Sequence, residues 1–231
     1  AAGAALLGCF QVTGVRPERL ESLALGLEQT NEEIEKALRN AWLDYEQPAD
    51  ICAATAAELA AGRVVGWFQG RMEAGPRALG QRSILADPRS IANRDRVNAV
   101  IKFREYWRPF CPSMTVEAAG RYFTKYTAAP FMVLSFPAND RMKKDAPAVV
   151  HVDGTSRVQL VKPDVLPKYH KLLTEFEKLT GVPVLLNTSF NVKGEPIVCT
   201  IHDALRTFWA TGMEVLVAGD FLIRKPKVGH V

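Results

Sequence analysis

The chain has 231 residues, 48% hydrophobic and 23% charged, with a formal net charge of +4. That size and balance fit one large globular domain, alone or with part of a second, and exclude a disordered or collagen-like chain. No apolar run approaches the roughly 18–20 residues of a membrane helix, so no spanning segment is expected. The charge is uneven: residues 1–61 carry four basic and ten acidic side chains, residues 62–108 carry ten and four, and residues 109–231 carry fifteen and eleven. The central stretch therefore concentrates a positive field suited to phosphate, nucleotides or nucleic acid. Cys9, Cys52, Cys111 and Cys199 form no CxxC pair and have no histidine at metal-ligand spacing. Buried, reduced thiols and a cytoplasmic location are expected.

The opening "AAGAALLGCF" is apolar but short and lacks a basic flank. It reads as a helix ending a preceding domain, not as a signal peptide. "TNEEIEKALRNAW" carries a capping box, Thr30 with Glu33, and apolar residues at Ile34, Leu38 and Trp42. "QPADICAATAAELAAG" follows as a second helix that Gly62 stops. "RVVGWFQG" is a short apolar strand, so the loop after it starts at a strand's carboxyl end, where open α/β sheets commonly bind ligands. "SIANRDRVNAVIKFRE" reads as a helix closed by Pro109 and Pro112, with Ile91, Val97, Val100 and Ile101 as its apolar positions. "FMVLSF" and "SRVQLV" are strand-like. "PKYHKLLTEFEKLTG" places Tyr169, Leu172, Leu173, Phe176 and Leu179 on one helical stripe before Gly181. "VPVLLN" is a buried-type strand, "TIHDALRTFWATG" a helix capped by Thr200 and Asp203, and "EVLVAGDFLIRK" one or two strands around Gly219 and Asp220. Helices alternating with strands make the body α/β with a mixed sheet. Residues 1–50 are expected to be a helical remnant of, or linker from, a preceding domain, and residues 51–231 the α/β domain.

Four stretches carry chemistry. In "WFQGRMEAGPRALGQRSILADPR", Arg71, Arg77, Arg82 and Arg89 are separated by Gly70, Gly75, Pro76 and Gly80. Glycine lets backbone N–H groups approach an anion, and arginine grips phosphate or carboxylate with two parallel bonds. Glu73 and Asp87 are possible partners within the segment; Arg89, beside Asp87, is expected to be paired and Arg77 to be free. In "NAVIKFREYWRP", Arg104 and Arg108 share a helical face, whereas Lys102 lies about 160° from Arg108 on an ideal helix. The three converge only if the helix ends near Lys102; otherwise they make a solvated basic face with Glu105. In "HVDGTSRVQLV", Thr155, Arg157 and Gln159 alternate with Val158 and Leu160, giving either a wet cavity wall or an outer strand. His151 and Asp153 read as turn chemistry. In "LLNTSFNVKGEP", Asn187, Ser189 and Asn191 follow the buried strand as uncharged contacts for an amide, hydroxyl or phosphate, or as turn residues. There is no GxxxxGK[ST], GxGxxG or HExxH motif and no matched Ser–His–Asp set. The chemistry must rest on positive charge and backbone donors, which fits phosphoryl or nucleotidyl transfer.

"GWFQGRMEAGPRALGQRSILADPR", "NAVIKFREYWRPFCPS", "PAVVHVDGTSRVQLV" and "LLNTSFNVKGEPIV", in that order, resemble the carboxy-terminal half of the O-carbamoyltransferases that modify nodulation factors and antibiotics. The resemblance implies a YrdC-like α/β fold, a twisted mixed sheet with flanking helices around a positively charged cavity, preceded by an actin-like domain that binds a metal and the acceptor. It implies that this chain binds ATP and carbamoyl phosphate and forms carbamoyl adenylate, which the other domain passes to a hydroxyl. By motif, Arg77, Lys102, Arg108 and Arg157 match residues that bind carbamoyl phosphate and the ATP phosphates. Asn187 and Ser189 match polar contacts of the same pocket, and Arg71, Arg82, Arg104 and Asn191 belong to the motifs. Magnesium is expected to arrive with ATP, with no metal site in this chain. Ala74 stands where the family usually has a large aromatic, and Leu27 where it has proline. Transfer to an acceptor is not expected of this chain alone. The alternative is a nucleotide- or RNA-binding module with a basic cavity and no catalysis of its own. Trp67 and Phe68 sit in apolar contexts, not on a stacking surface, which argues against RNA.

Overall fold

A computed structural model describes residues 2–18 and 20–226. In chain order the elements are α1 (Ala2–Thr13), α2 (Asn31–Asn40), α3 (Ile51–Ala60), β1 (Val65–Phe68), β2 (Arg82–Ala86), α4 (Ile91–Val100), β3 (Cys111–Thr115), α5 (Ala119–Tyr122), β4 (Ser135–Pro137), α6 (Asp140–Asp145), β5 (Thr155–Arg157), β6 (Gln159–Val161), α7 (Pro167–Thr180), β7 (Val184–Ser189), α8 (Ile201–Trp209), β8 (Val215–Ala218) and β9 (Phe221–Arg224). Seven strands form one sheet in the order β6-β3-β7-β2-β1-β8-β9, and β4 pairs with β5 separately. β1 runs parallel to β8 and β3 parallel to β6, while the β1–β2, β2–β7, β3–β7 and β8–β9 pairs are antiparallel. The sheet is mixed, as the alternation of elements predicts.

Both faces of the sheet are covered, so its strands read as continuous apolar runs. On one face Val65, Trp67, Leu85, Leu185 and Val217 pack against Ile51, Ala56 and Leu59 of α3 and Leu172, Leu173 and Phe176 of α7. On the other, Ile84, Met114, Val184, Leu186 and Leu216 meet Ile34 and Leu38 of α2, Val97 of α4, and Ala204 and Phe208 of α8. Helix boundaries follow the capping residues. Thr30 and Glu33 close a capping box on α2, Thr200 and Asp203 close another on α8, and Gly181 ends α7 in the left-handed conformation. The α7 stripe is buried at Tyr169, Leu172, Leu173 and Phe176 but not at Leu179, which is exposed.

Several expectations need correction. The arginine segment is only half loop, because residues 82–86 are strand β2 at the centre of the sheet. "SRVQLV" is two strands, not one: Arg157 ends β5 beside β4, and Gln159 begins β6 in the main sheet. "FMVLSF" contributes only its end to a strand, and Val133 and Leu134 are exposed. β3 lay hidden behind Pro109 and Pro112; Pro112 pairs with β7 just before β6 begins to pair at Ser113. Of the four free thiols only Cys52 and Cys111 are buried. Within residues 1–50, Ala24 bridges to Glu73, the Gly26 N–H donates to the Met72 carbonyl at 2.8 Å, and Glu46 bridges to Leu222. No helix among the described residues is long and apolar enough to cross a membrane.

Gly80 is where the arginine loop meets the sheet. Its φ is +96°, and an added Cβ would sit 2.3 Å from Cδ1 of the Tyr169 ring, which is itself packed near Trp67. The Gly80→Ala variant is therefore expected to lose more than about 2 kcal/mol, through backbone strain and overpacking together. A lowered urea midpoint checks this; an unchanged midpoint would show that the ring yields freely.

Candidate functional site

The loop between β1 and β2 is shaped by one carboxylate. Glu73 Oε1 accepts the backbone N–H of Leu79 at 2.6 Å, Gln81 at 2.8 Å and Arg82 at 3.2 Å. Glu73 thus directs its hydrogen bonds to the backbone, and its charge acts on the buried Arg82 without a direct bond. Arg82 is fully buried; it lies 3.7 Å over the Phe68 ring and donates to the carbonyls of Gln69, Gln81 and Leu27. It fastens the loop to the sheet and to the 20–30 segment, so it is not positioned to touch a ligand. Arg71 is exposed, 3.9 Å from Glu28, and lines neither cavity described below. Arg89 pairs with Asp87 at 2.7 Å, as expected. That leaves Arg77 at the loop's exposed bend, with no ion-pair partner among the described residues.

Helix α4 stops at Val100, and Phe103 adopts a φ of +46°. The chain thereby turns where Lys102 needs it to. Asn98, buried in the last turn of α4, holds the following loop at three levels. Its carbonyl accepts the Arg104 N–H at 3.1 Å, its Oδ1 accepts Arg104 Nε at 2.7 Å, and its Nδ2 donates to the Tyr106 and Arg108 carbonyls, each at 3.2 Å. Arg104 also lies 4.4 Å over the Phe110 ring. Nothing in the sequence marks Asn98 beyond a polar residue four positions before Lys102.

Two adjoining cavities share Arg104 and Ser189. One, of about 100 Å³, is lined by Arg77, Arg104, Cys111, Arg157, Asn187 and Ser189 among others. The second, of about 230 Å³, is lined by Lys102, Arg104, Arg108, Ser189, Asn191 and Lys193 among others. No aspartate or glutamate lines either one. Eight of the ten sequence-derived candidates therefore meet here: Arg77, Lys102, Arg104, Arg108, Arg157, Asn187, Ser189 and Asn191. Arg71 and Arg82 do not.

The cations are held by neutral groups. Lys102, 6% exposed, reaches the Ser189 carbonyl at 2.8 Å, the Asn191 carbonyl at 2.9 Å and Asn191 Oδ1 at 2.7 Å. Burial first, then Arg104 and Arg108, bring its pKa down from 10.5 to about 7. Burial chiefly, with Arg108, lowers Arg104 to about 10. Arg157 donates to Cys111 Sγ at 3.0 and 3.2 Å, a weak acceptor that an anion would outcompete. The nearest acid to Arg108 is Glu105, at 3.9 Å with both side chains half exposed, which is worth little. Asn187 closes the floor: its Nδ2 donates to Ser113 Oγ at 2.9 Å and to the Ala78 carbonyl and Gln159 Oε1, each at 3.3 Å. His151 and Asp153 serve a turn, Asp153 accepting from Thr155. No group of three or more His, Cys, Asp or Glu that could hold a metal occurs among the described residues. Trp67 and Phe68 are buried, but Phe103, Tyr106 and Trp107 are exposed beside the cations, which the sequence reading missed.

The lowered Lys102 pKa has a signed consequence. The unfolded chain holds this proton up to about pH 10.5 and the folded chain only to about 7, so this group makes stability rise with pH between those values. Binding a phosphate anion favours the charged form and draws the proton back. Calorimetry of pyrophosphate binding at pH 8, in buffers of different ionisation heat, is expected to show uptake of close to one proton, lost in Lys102→Met. Equal uptake in wild type and variant would contradict the assignment.

A family model described as "Carbamoyltransferase C-terminus" matches residues 56–225. The nodulation protein NolO of Bradyrhizobium diazoefficiens is 44% identical over 232 residues, covering 97% of this chain and 42% of its own length. The 3'-hydroxymethylcephem-O-carbamoyltransferase of Streptomyces clavuligerus is 42% identical over 173 residues, covering 75% of this chain and 33% of its own length. The chain thus spans well under half the length of these curated relatives. Among solved structures, P. abyssi Sua5 complexed with L-threonine superposes with a TM-score of 0.54 at 14% identity, over 73% of this chain and 46% of its own. Full-length HypF in the phosphate- and nucleotide-bound form gives 0.52 at 19% identity, over 78% of this chain and 22% of its own. These two likenesses show the fold, the YrdC-like α/β arrangement. With the family model matched across most of its length, the chain belongs to the carbamoyltransferases and carries their C-terminal domain.

Proposed function

We propose that this chain binds MgATP and carbamoyl phosphate in the paired cavities and forms carbamoyl adenylate. The observation that carries the reading is the convergence of Arg77, Lys102, Arg104, Arg108 and Arg157 on cavities lined by no acidic side chain. Lys102 and Arg104 are the desolvated members of this set; burying a cation without a counter-ion is costly, and the natural remedy is an anionic ligand. Membership of a carbamoyltransferase family and the nucleotide-bound state of the HypF structure support the choice of anions.

In this scheme carbamoyl phosphate yields its phosphoryl group to water, leaving carbamate and phosphate. A carbamate oxygen then attacks the α-phosphorus of ATP, the bond from that phosphorus to the bridging oxygen breaks, and pyrophosphate departs. Negative charge gathers at the α-phosphorus and on the leaving oxygens. Arg77 and Arg157 bind one phosphate group in the smaller cavity, and Lys102, Arg104 and Arg108 the other in the larger. Donors fixed in advance by Asn98, Glu73 and the Ser189–Asn191 turn stabilise that charge without reorganising. Ser189 and Asn187 supply uncharged contacts to the carbamoyl end. Magnesium enters as part of the nucleotide. Transfer of the carbamoyl group to a hydroxyl falls to an N-terminal, actin-like, metal-binding domain of a longer chain, with the whole process placed in the cytoplasm.

Exchange of labelled pyrophosphate into ATP, dependent on carbamoyl phosphate, tests the reading. Wild type is expected to exchange, and Arg77→Ala and Lys102→Ala each to lose about 10²–10³-fold, as removal of one fixed donor typically does. Folded, ATP-binding protein with no exchange would contradict adenylate formation.

A further inference from the structure

The four cysteines sit in different surroundings, and one of them is in the wall of a cationic cavity. Cys9 is exposed and Cys199 half-buried, and neither lines either cavity. Cys52 is buried; its thiol donates to the Lys168 carbonyl at 3.3 Å, and burial, then Asp50, pushes its pKa up to about 11. A thiol so held stays protonated and inert. Cys111 is the reverse case. Its sulfur accepts two bonds, from Arg157 Nη2 at 3.0 Å and Nε at 3.2 Å, and it lies beside Arg77 and Arg104 in the cavity of about 100 Å³ that no carboxylate lines. A sulfur that accepts from a cation is favoured in the electron-rich state that attacks oxidants. At 6% exposure it is closed to bulky reagents, whereas the cavity has room for a molecule as small as hydrogen peroxide.

An unpaired acceptor in the same wall points to a group placed on that sulfur. Cys111 and Asn187 are register partners across β3 and β7, so their side chains share a face with Cβ atoms about 5 Å apart. Asn187 is 2% exposed, and its Nδ2 donates to Ser113 Oγ, the Ala78 carbonyl and Gln159 Oε1, but its Oδ1 has no partner. A buried acceptor left unpaired is costly and calls for a donor. We infer that Cys111 is a peroxide-sensitive modification site, whose sulfenic acid takes the place of a phosphate group on Arg157 and shuts the smaller cavity. The added oxygen accepts from the guanidinium, and its proton is donated to Asn187 Oδ1. In the step, sulfur attacks one oxygen of hydrogen peroxide, the O–O bond breaks, and the departing hydroxide takes up the thiol proton as water. Sulfur loses two electrons and the peroxide gains them. Two equivalents of a small thiol reverse the change: the first displaces water to give a mixed disulfide, and the second releases Cys111 as the thiol. Phosphate and the sulfenic oxygen compete for one guanidinium, so a bound phosphate shields the sulfur. That competition rests on the anion binding proposed above, while the oxidation depends only on the contact between Cys111 and Arg157.

The test exposes the chain to hydrogen peroxide with and without saturating inorganic phosphate, then unfolds it in dimedone, which marks sulfenic acids for peptide mass analysis. Cys111 is expected to be marked roughly tenfold faster than Cys52. Phosphate is expected to slow the marking of Cys111 about tenfold, as loss of a bond to a charged group implies, and to leave Cys9 unaffected. In wild type, peroxide is expected to remove most of the carbamoyl-phosphate-dependent pyrophosphate exchange, and dithiothreitol to restore it. Cys111→Ala, compared with its own untreated sample, is expected to keep its rate through the same treatment. Cys111 unmarked while Cys9 is marked, or marked equally with and without phosphate, overturns the inference even where exchange is normal. So does a Cys111→Ala variant that loses exchange to peroxide as wild type does. If untreated wild type neither binds phosphate nor exchanges, the anion reading itself fails, and this inference with it.

Discussion

An ammonium group buried among carbonyl and amide oxygens, with two guanidinium groups at hand and no carboxylate, is the constraint on which the arrangement turns. Lys102 could be placed there only by ending α4 at Val100 and turning the chain at Phe103. Its position is then set by the Ser189–Asn191 turn at the far end of β7, nearly ninety residues along the chain. Each neutral oxygen offsets part of the desolvation cost, yet none cancels the charge. The site is thus prepared to gain more from an incoming anion than from any group of its own.

The supporting residues are polar and buried, and each holds backbone. Glu73 gathers three N–H groups to form the bend that presents Arg77. Asn98 holds the 104–108 loop, and Asn187 with Ser113 and Gln159 ties β7 to β3 and β6 below the smaller cavity. Arg82 spends its charge on carbonyl oxygens and on Phe68, fastening the loop to β1 and to the 20–30 segment. Pre-organisation of this kind is what allows a cationic cavity to favour a transition state over a ground state, since the donors need not move as charge develops.

The sequence disclosed the elements whose signals are local. Capping boxes at Thr30 and Thr200, the glycine stop at Gly181 and the apolar runs of β1 and β7 all correspond to what forms. It hid those decided by long-range pairing. β2 looked like loop because Arg82 and Ser83 begin it, and β3 looked like a helix terminator because of Pro112. The same limit applied to the site. Charge and spacing nominated the cations that line the two cavities, Arg77, Lys102, Arg104, Arg108 and Arg157, but could not separate them from Arg82, whose position depends on a ring stacked beneath it. Asn98 and Cys111 carried no signal, because a hydrogen bond to a distant backbone or guanidinium leaves no local trace.

The claim that matters most is that nucleotide and carbamoyl phosphate occupy the cavities shared by Arg104 and Ser189. A larger hollow of about 370 Å³ lies elsewhere, lined by Gln69, Gly70, Gln81, Lys168 and Gly219 among others, with Lys168 already paired to Asp220 at 2.6 Å. A crystal structure of the chain with MgATP and carbamoyl phosphate decides between them. Phosphate oxygens within hydrogen-bonding distance of Lys102 and of Arg77 or Arg157 are the predicted result. A nucleotide seated in the Gln69–Lys168 hollow, with the Lys102 cluster bearing no anion, would contradict the account.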